Sequence, residues 1–204
     1  INKAGGSVTI SSTNSINSNA LEVNSAEAIQ GSLSVTNNAG DSSHDNAIVV
    51  SNALQATGNI TIINQETSIT VADGAAVSAE NIAMNASEII VAGNVTADSA
   101  TTLNAGSITV NGKVETTNEK TTLTSAEITV NGSVNTTIGT TTLTSASDLT
   151  LNGSGTVSGK AVNVNAGQDF FHNGGSISGE NAVITATRNV QLQGGSIAAT
   201  NARV

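Results

Sequence analysis

Side chains able to do chemistry are sparse in this chain, so those that recur at regular spacing weigh most. Asn111, Asn131, Asn152 and Asn173 each stand immediately before a glycine. Asparagine tolerates the left-handed turn conformation expected there, and carboxamides repeated at such an interval can hydrogen-bond to one another along an axis. Their alternative use is as a polar binding strip. Glu88, Glu127, Asp148 and Asp169 make a second recurrent set. Calcium requires about six to eight oxygens converging on one point; single carboxylates interrupted by Ser107 read instead as a solvated edge. His172 has no His, Cys or carboxylate at ligand spacing and reads as a satisfied core or corner histidine. The stretch "TNNAGDSSHDNA" gathers Asp41, His44 and Asp45 in a polar segment without a recognised metal-ligand spacing. No metal or cofactor is expected; if this chain contacts a partner directly, these three residues mark the expected place.

Composition narrows the remaining options. The 204 residues include no proline, cysteine, tryptophan or tyrosine, and Phe170 and Phe171 are the only aromatics of the Phe, Trp and Tyr class, so any core is aliphatic. Fifteen acidic against six basic residues give a net charge of −9, which argues against a basic patch for nucleic acid or anionic membrane. Aromatic stacking platforms for bases are missing. No apolar run approaches the roughly 18 residues of a spanning helix, so membrane insertion is not expected. Polysaccharide cleavage needs clustered carboxylates beside sugar platforms, and no such cluster stands out; the expectation is a protein that is not an enzyme. Ice binding would need a longer array of paired threonines than Thr122/Thr124 and Thr142/Thr144 supply.

The elements that hold these residues announce themselves by period. "ITVNGKVETT" begins at Ile108 and "ITVNGSVNTT" at Ile128. Gly93, Gly112, Gly132, Gly153, Gly174 and Gly194 follow at steps of 19, 20, 21, 21 and 20. Within each unit, aliphatic residues fall into columns. One runs Met84, Leu103, Leu123, Leu143, Val164, Ile184, with small residues two positions later (Ala86, Ala105, Ser125, Ser145, Ala166, Ala186). Another runs Ile89, Ile108, Ile128, Leu149, Phe170, Val190, followed by Val91, Val110, Val130, Leu151, His172, Leu192. A third strand carries Val95, Val114 and Val134, then Val157, Ile177 and Ile197. Spacing of two inside each segment means strands with alternate side chains inward. Three short strands per unit predict an all-β fold, a right-handed parallel β-helix of about 20 residues per turn and roughly ten turns. At roughly 4.8 Å per level the rod would be about 45–50 Å long.

One rod spanning 1–204 is expected, with regular turns over 69–204. Residues 1–68 are less regular, with strands at Val8–Ile10, Leu21–Val23, Leu33–Val35, Ile48–Val50, Ile60–Ile62 and Ile69–Val71 and a loop near 37–46. Sequons at Asn59, Asn85, Asn94, Asn131, Asn135 and Asn152 permit glycosylation, though in so Asn- and Ser-rich a chain they do not indicate it.

The phrases "NAGQDF", "NGGSISGENAVITAT" and "NVQLQGGSIAAT" give residues 153–204 a second significance. They resemble the haemagglutinin repeats of bacterial filamentous-haemagglutinin-type exoproteins. Residues 69–152 follow the same logic in a Thr-rich form, and 1–68 match loosely. This resemblance implies a long secreted β-helical rod at the bacterial cell surface, exported through an outer-membrane transporter by two-partner secretion. It also implies a role in adhesion to host or neighbouring-cell surfaces or matrix, in biofilm formation, or in carrying a toxin tip. The Asn-Pro-Asn-Leu-type motif of that family's secretion domain is absent, since the chain has no proline, so the segment reads as shaft. Its first and last phrases fall part-way through a turn, which leads to two expectations: a rod continued in a longer chain, or copies stacking end to end into a filament.

Overall fold

In the computed structural model, which describes residues 8–12, 20–37 and 47–204, strands are the only regular secondary structure. They are β1 (Val8–Ser12), β2 (Ala20–Glu22), β3 (Leu33–Asn37), β4 (Ala47–Val50) and β5 (Ala53–Gln55) in the first part. Next come β6 (Asn59–Val71), β7 (Ala76–Val91), β8 (Asn94–Val110), β9 (Lys113–Thr116) and β10 (Lys120–Val130). The series ends with β11 (Ser133–Ser145), β12 (Leu149–Leu151), β13 (Thr156–Ala166), β14 (Asp169–Ala186) and β15 (Asn189–Arg203). The longer strands bend around corners: residues 170–172 of β14 pair with β12, and residues 176–178 and 181–186 pair with β13.

Every pairing between these strands is parallel and joins equivalent positions of successive turns. Leu33 meets Ile60, Ile60 meets Ile82, and the line continues through Thr101, Thr121, Thr141, Val162 and Ala182. A second line joins Ile48, Ile69, Ile89, Ile108, Ile128, Leu149, Phe170 and Val190. A third joins Leu54, Val77, Val95, Val114, Val134, Val157, Ile177 and Ile197. The result is a parallel β-solenoid of about eight turns, at roughly 20 residues per turn. The expected ten is too many because the early turns are longer: Leu33 and Ile60, though partners on adjacent levels, are 27 residues apart. β2 precedes the expected Leu21–Val23 by one residue, and β5 has too little alternation to be read from sequence.

Aliphatic residues fill the interior. Met84, Leu103, Leu123, Leu143, Val164 and Ile184 are buried, as are Ile89, Ile108, Ile128, Leu149 and Phe170. At β15 the columns thin: Val190 and Ile197 are partly buried, and Leu192 is 53% exposed. Each residue in mid-rod touches equivalents above and below, so a level completes its core only through its neighbours.

The repeated glycines have two physical causes. Among the described residues no residue other than glycine has positive φ, so Asn111, Asn131, Asn152 and Asn173 do not adopt the left-handed conformation expected of them. Gly153 does, at φ 54°. Gly112 and Gly132 do not; they are required by proximity. A Cβ on Gly132 would lie 2.0 Å from the Gly112 carbonyl oxygen, and one on Gly112 would lie 2.1 Å from that of Gly93. Corner backbones therefore stack too closely for any side chain. Gly132→Ala is expected to lower stability by roughly 1–3 kcal/mol or more through forced separation of two turns, while Ser154→Ala, at an exposed turn residue, should stay within about 0.5 kcal/mol. Urea-unfolding midpoints of the two variants check the difference.

Candidate functional site

Polar side chains in this rod bond chiefly to one another along its axis. The asparagines before the corner glycines form a continuous ladder. The Asn131 Nδ2 donates to Asn111 Oδ1 at 2.8 Å, Asn152 to Asn131 at 3.1 Å, and Asn173 to Asn152 at 3.0 Å. Axial bonding of the amides is thus as expected, without positive φ at any of the four asparagines. Asn81 donates likewise to Asn59, and Asn201 to Asn181.

The acidic set divides. Glu88 and Glu127 are exposed, but Asp169 is 8% exposed and part of a corner network. Its Oδ2 accepts from Arg188 at 2.6 Å, its Oδ1 accepts from Asn189 at 2.8 Å, and its backbone N–H donates to Asp148 Oδ1 at 3.1 Å. A simple solvated edge is therefore wrong for its C-terminal half: the strand that places Phe170 inward brings Asp169 against Arg188 and Asn189 of the next turn. These groups spend their charge and acceptor capacity on one another. Among the described residues, no group of three or more His, Cys, Asp and Glu side chains could hold a metal ion.

Inside the rod lies a feature that sequence patterning missed. Thr101, Thr116, Thr121, Thr136 and Thr141 are all fully buried. Thr136 Oγ1 donates to Thr121 at 2.8 Å, Thr121 to Thr116 at 2.9 Å, and Thr116 to Thr101 at 2.8 Å. Thr141 Oγ1 lies 2.8 Å from Thr136 and donates to the Ser158 carbonyl at 2.6 Å. This zigzag links two columns across a corner. In neighbouring turns those columns hold Ile82, Val162 and Ala182, and Ala79 and Ala97. A signal was present in the threonine two positions before each inward leucine, at 101–103, 121–123 and 141–143. Threonine nearly matches valine in shape, and only its partners show which way it points. A second internal amide bond, Asn37 Nδ2 to Asn64 Oδ1 at 3.2 Å, lies in the early turns.

His172 sits in its expected inward column, 1% exposed, with its ring stacked on Phe170 at a centroid distance of 6.0 Å. It is not the satisfied histidine expected from the sequence, since Nε2 has no hydrogen-bond partner among the described residues. Burial holds the imidazole pKa below its ordinary value, while backbone groups of Gly174 and Gly175 oppose the shift. Glu22 is held below its ordinary value by hydrogen bonds from Ser51 and Asn24. It lies on β2, far along the chain from β14, and no catalytic pair forms between them. Asp41, His44 and Asp45 lie outside the described residues.

A surface groove of about 510 Å³ lies where β11 bulges between Thr136 and Thr140. Ile138, 59% exposed, lines it together with Lys160 and Glu180. Thr122 and Thr142 are half-buried on a neighbouring face, and Thr124 is exposed. Comparison with family models, with curated proteins and with solved structures yields no match.

Two outcomes follow from the buried polar groups. Thr121→Val removes one hydrogen bond each from Thr116, which keeps Thr101, and from Thr136, which keeps Thr141 and the Thr140 carbonyl, and should cost about 0.5–1.5 kcal/mol, whereas converting all five threonines to valine should cost no more than that, because each hydroxyl is removed together with its hydroxyl partner. Thermal melts of the two variants measure this. A histidine whose folded pKa is depressed adds stability above its unfolded value and loses it as pH falls. Melting temperature should therefore drop as pH goes below about 6.5, well above the carboxylate range near 4, and His172→Leu should flatten that drop.

Proposed function

We propose that the chain is a structural shaft or adhesin segment of a secreted bacterial cell-surface filamentous protein, with no chemistry of its own. One observation carries this reading: the repeated polar residues are consumed in bonds between turns, as in the Asn111 to Asn173 ladder and the Thr101 to Thr141 zigzag. A site for turnover needs convergent groups free to act on a substrate. Repetition that spends its polar groups internally supports a role in length and rigidity. Resemblance of residues 153–204 to haemagglutinin repeats supports secretion through an outer-membrane transporter and display toward host or neighbouring-cell surfaces or matrix.

A second reading is a filament subunit whose copies stack end to end through the same parallel pairing that joins each turn to the next.

Measuring the mass of the native, unproteolysed polypeptide separates the readings. A mass far above 20.1 kDa, with surface-accessible epitopes on intact cells, is the outcome expected of a shaft. A mass near 20.1 kDa, with purified chains elongating into filaments, favours the subunit. Turnover of a polysaccharide by the purified chain, abolished by one carboxylate substitution, would contradict both.

A further inference from the structure

We propose that the fold selects Asn152 as a site of spontaneous deamidation, in which water converts one amide of the asparagine ladder to an aspartyl or isoaspartyl residue. Four Asn-Gly pairs share the seam, at 111–112, 131–132, 152–153 and 173–174. Glycine after asparagine leaves its backbone nitrogen unobstructed by a Cβ, so in an unfolded chain all four are chemically alike. Folding makes them different.

In the reaction the Gly153 nitrogen attacks Asn152 Cγ, forming an N–C bond and closing a five-membered imide. The C–Nδ2 bond breaks, and the proton from the glycine nitrogen leaves with the amide nitrogen as ammonia. Water then opens the imide at either carbonyl, giving aspartate or isoaspartate. No oxidant is involved.

Two requirements meet at Asn152. The first is a free nucleophile. Gly112 N–H donates to the Val91 carbonyl at 2.9 Å and Gly132 N–H to the Val110 carbonyl at 2.9 Å, so both nitrogens are held in the ladder. Gly153 lies outside the strands, and its N–H makes no backbone hydrogen bond among the described residues. The cause is a local insertion. Ser133 donates to the Gly112 carbonyl at 2.8 Å, and its partner in the next turn, Thr156, donates to the Gly132 carbonyl at 2.8 Å. Gly153 and Ser154 are therefore looped out between Asn152 and the resumed stack, both exposed. Gly153 takes φ 54°, and a Cβ there would meet nothing within 4 Å.

The second requirement is a polarised carbonyl. Asn152 Oδ1 accepts the Asn173 amide at 3.0 Å, a donor placed to stabilise negative charge as it develops on that oxygen. Asn111 and Asn131 have this feature without the free nitrogen. Once Asn152 is converted, its carboxylate can no longer donate to Asn131 Oδ1, where the bond is now 3.1 Å. The seam then opens at a turn that already tolerates extra chain.

The test compares the folded chain with the same chain in denaturant, both held at mildly alkaline pH and mapped by peptide mass for amide-to-acid conversion. In denaturant the four pairs should convert at similar rates. In the folded chain Asn152 should convert about tenfold faster than Asn111 or Asn131, a ratio equivalent to about 1.4 kcal/mol for releasing one hydrogen-bonded amide. Asn173→Ala, checked by circular dichroism for an intact fold, should slow conversion at Asn152 without changing its rate in denaturant. Equal rates at Asn111, Asn131 and Asn152 in the folded chain, or no conversion at Asn152, would overturn the proposal. Conversion unaffected by Asn173→Ala would overturn the role given to the ladder.

Discussion

The backbone hydrogen bond between equivalent positions of successive turns is the interaction on which everything else here depends. Each parallel pairing joins equivalent positions of successive turns, so the register of a turn fixes which of its residues lies over which. Leu123 falls between Leu103 and Leu143 at steps of 20, and Asn131 between Asn111 and Asn152 at steps of 20 and 21. A slip of one residue would turn every inward leucine to solvent. Side-chain columns are thus both the consequence of the register and the reason it holds.

That geometry also governs how polar groups enter the interior. In a solenoid an inward polar residue has a predictable neighbour, its own equivalent one turn away. A single buried hydroxyl would be costly, but a stack of them supplies its own partners. Thr101, Thr121 and Thr141 face Thr116 and Thr136 across one corner and satisfy one another. Repetition of the sequence is what allows threonine to replace valine there. His172 shows the opposite case: one polar residue in an aliphatic column, with no equivalent above or below it.

The regular part of the fold was legible because strand periodicity and turn periodicity reinforce each other from Ile69 to Ile197. Where one failed, reading failed too. β5 escaped because Ala53, Leu54 and Gln55 carry one large apolar residue between them. The buried threonines escaped because inward and outward threonines look alike in a sequence; Thr121 and Thr122 are adjacent, one buried and one half-buried. Glycine at the corners was recognised, yet its reason at Gly112 and Gly132 is the closeness of stacked backbones, a property of two turns together. Asp169 was assigned to an edge because its partners, Arg188 and Asn189, lie one turn away and nothing within its own turn points to them.

If repetition serves shape, a whole turn should be removable as a unit. Deleting residues 113–132 joins Gly112 to Ser133, which occupies the place of Lys113 in the next turn, and brings Thr141 over Thr101 and Thr136 over Ala97. Circular dichroism and small-angle scattering on this variant test the central claim most directly. The account predicts a cooperatively folded rod shorter by about 4.8 Å, while removal of residues 113–122 alone, half a turn, prevents the downstream turns from stacking. Loss of fold on removing the whole turn, or equal tolerance of the half-turn deletion, would contradict it.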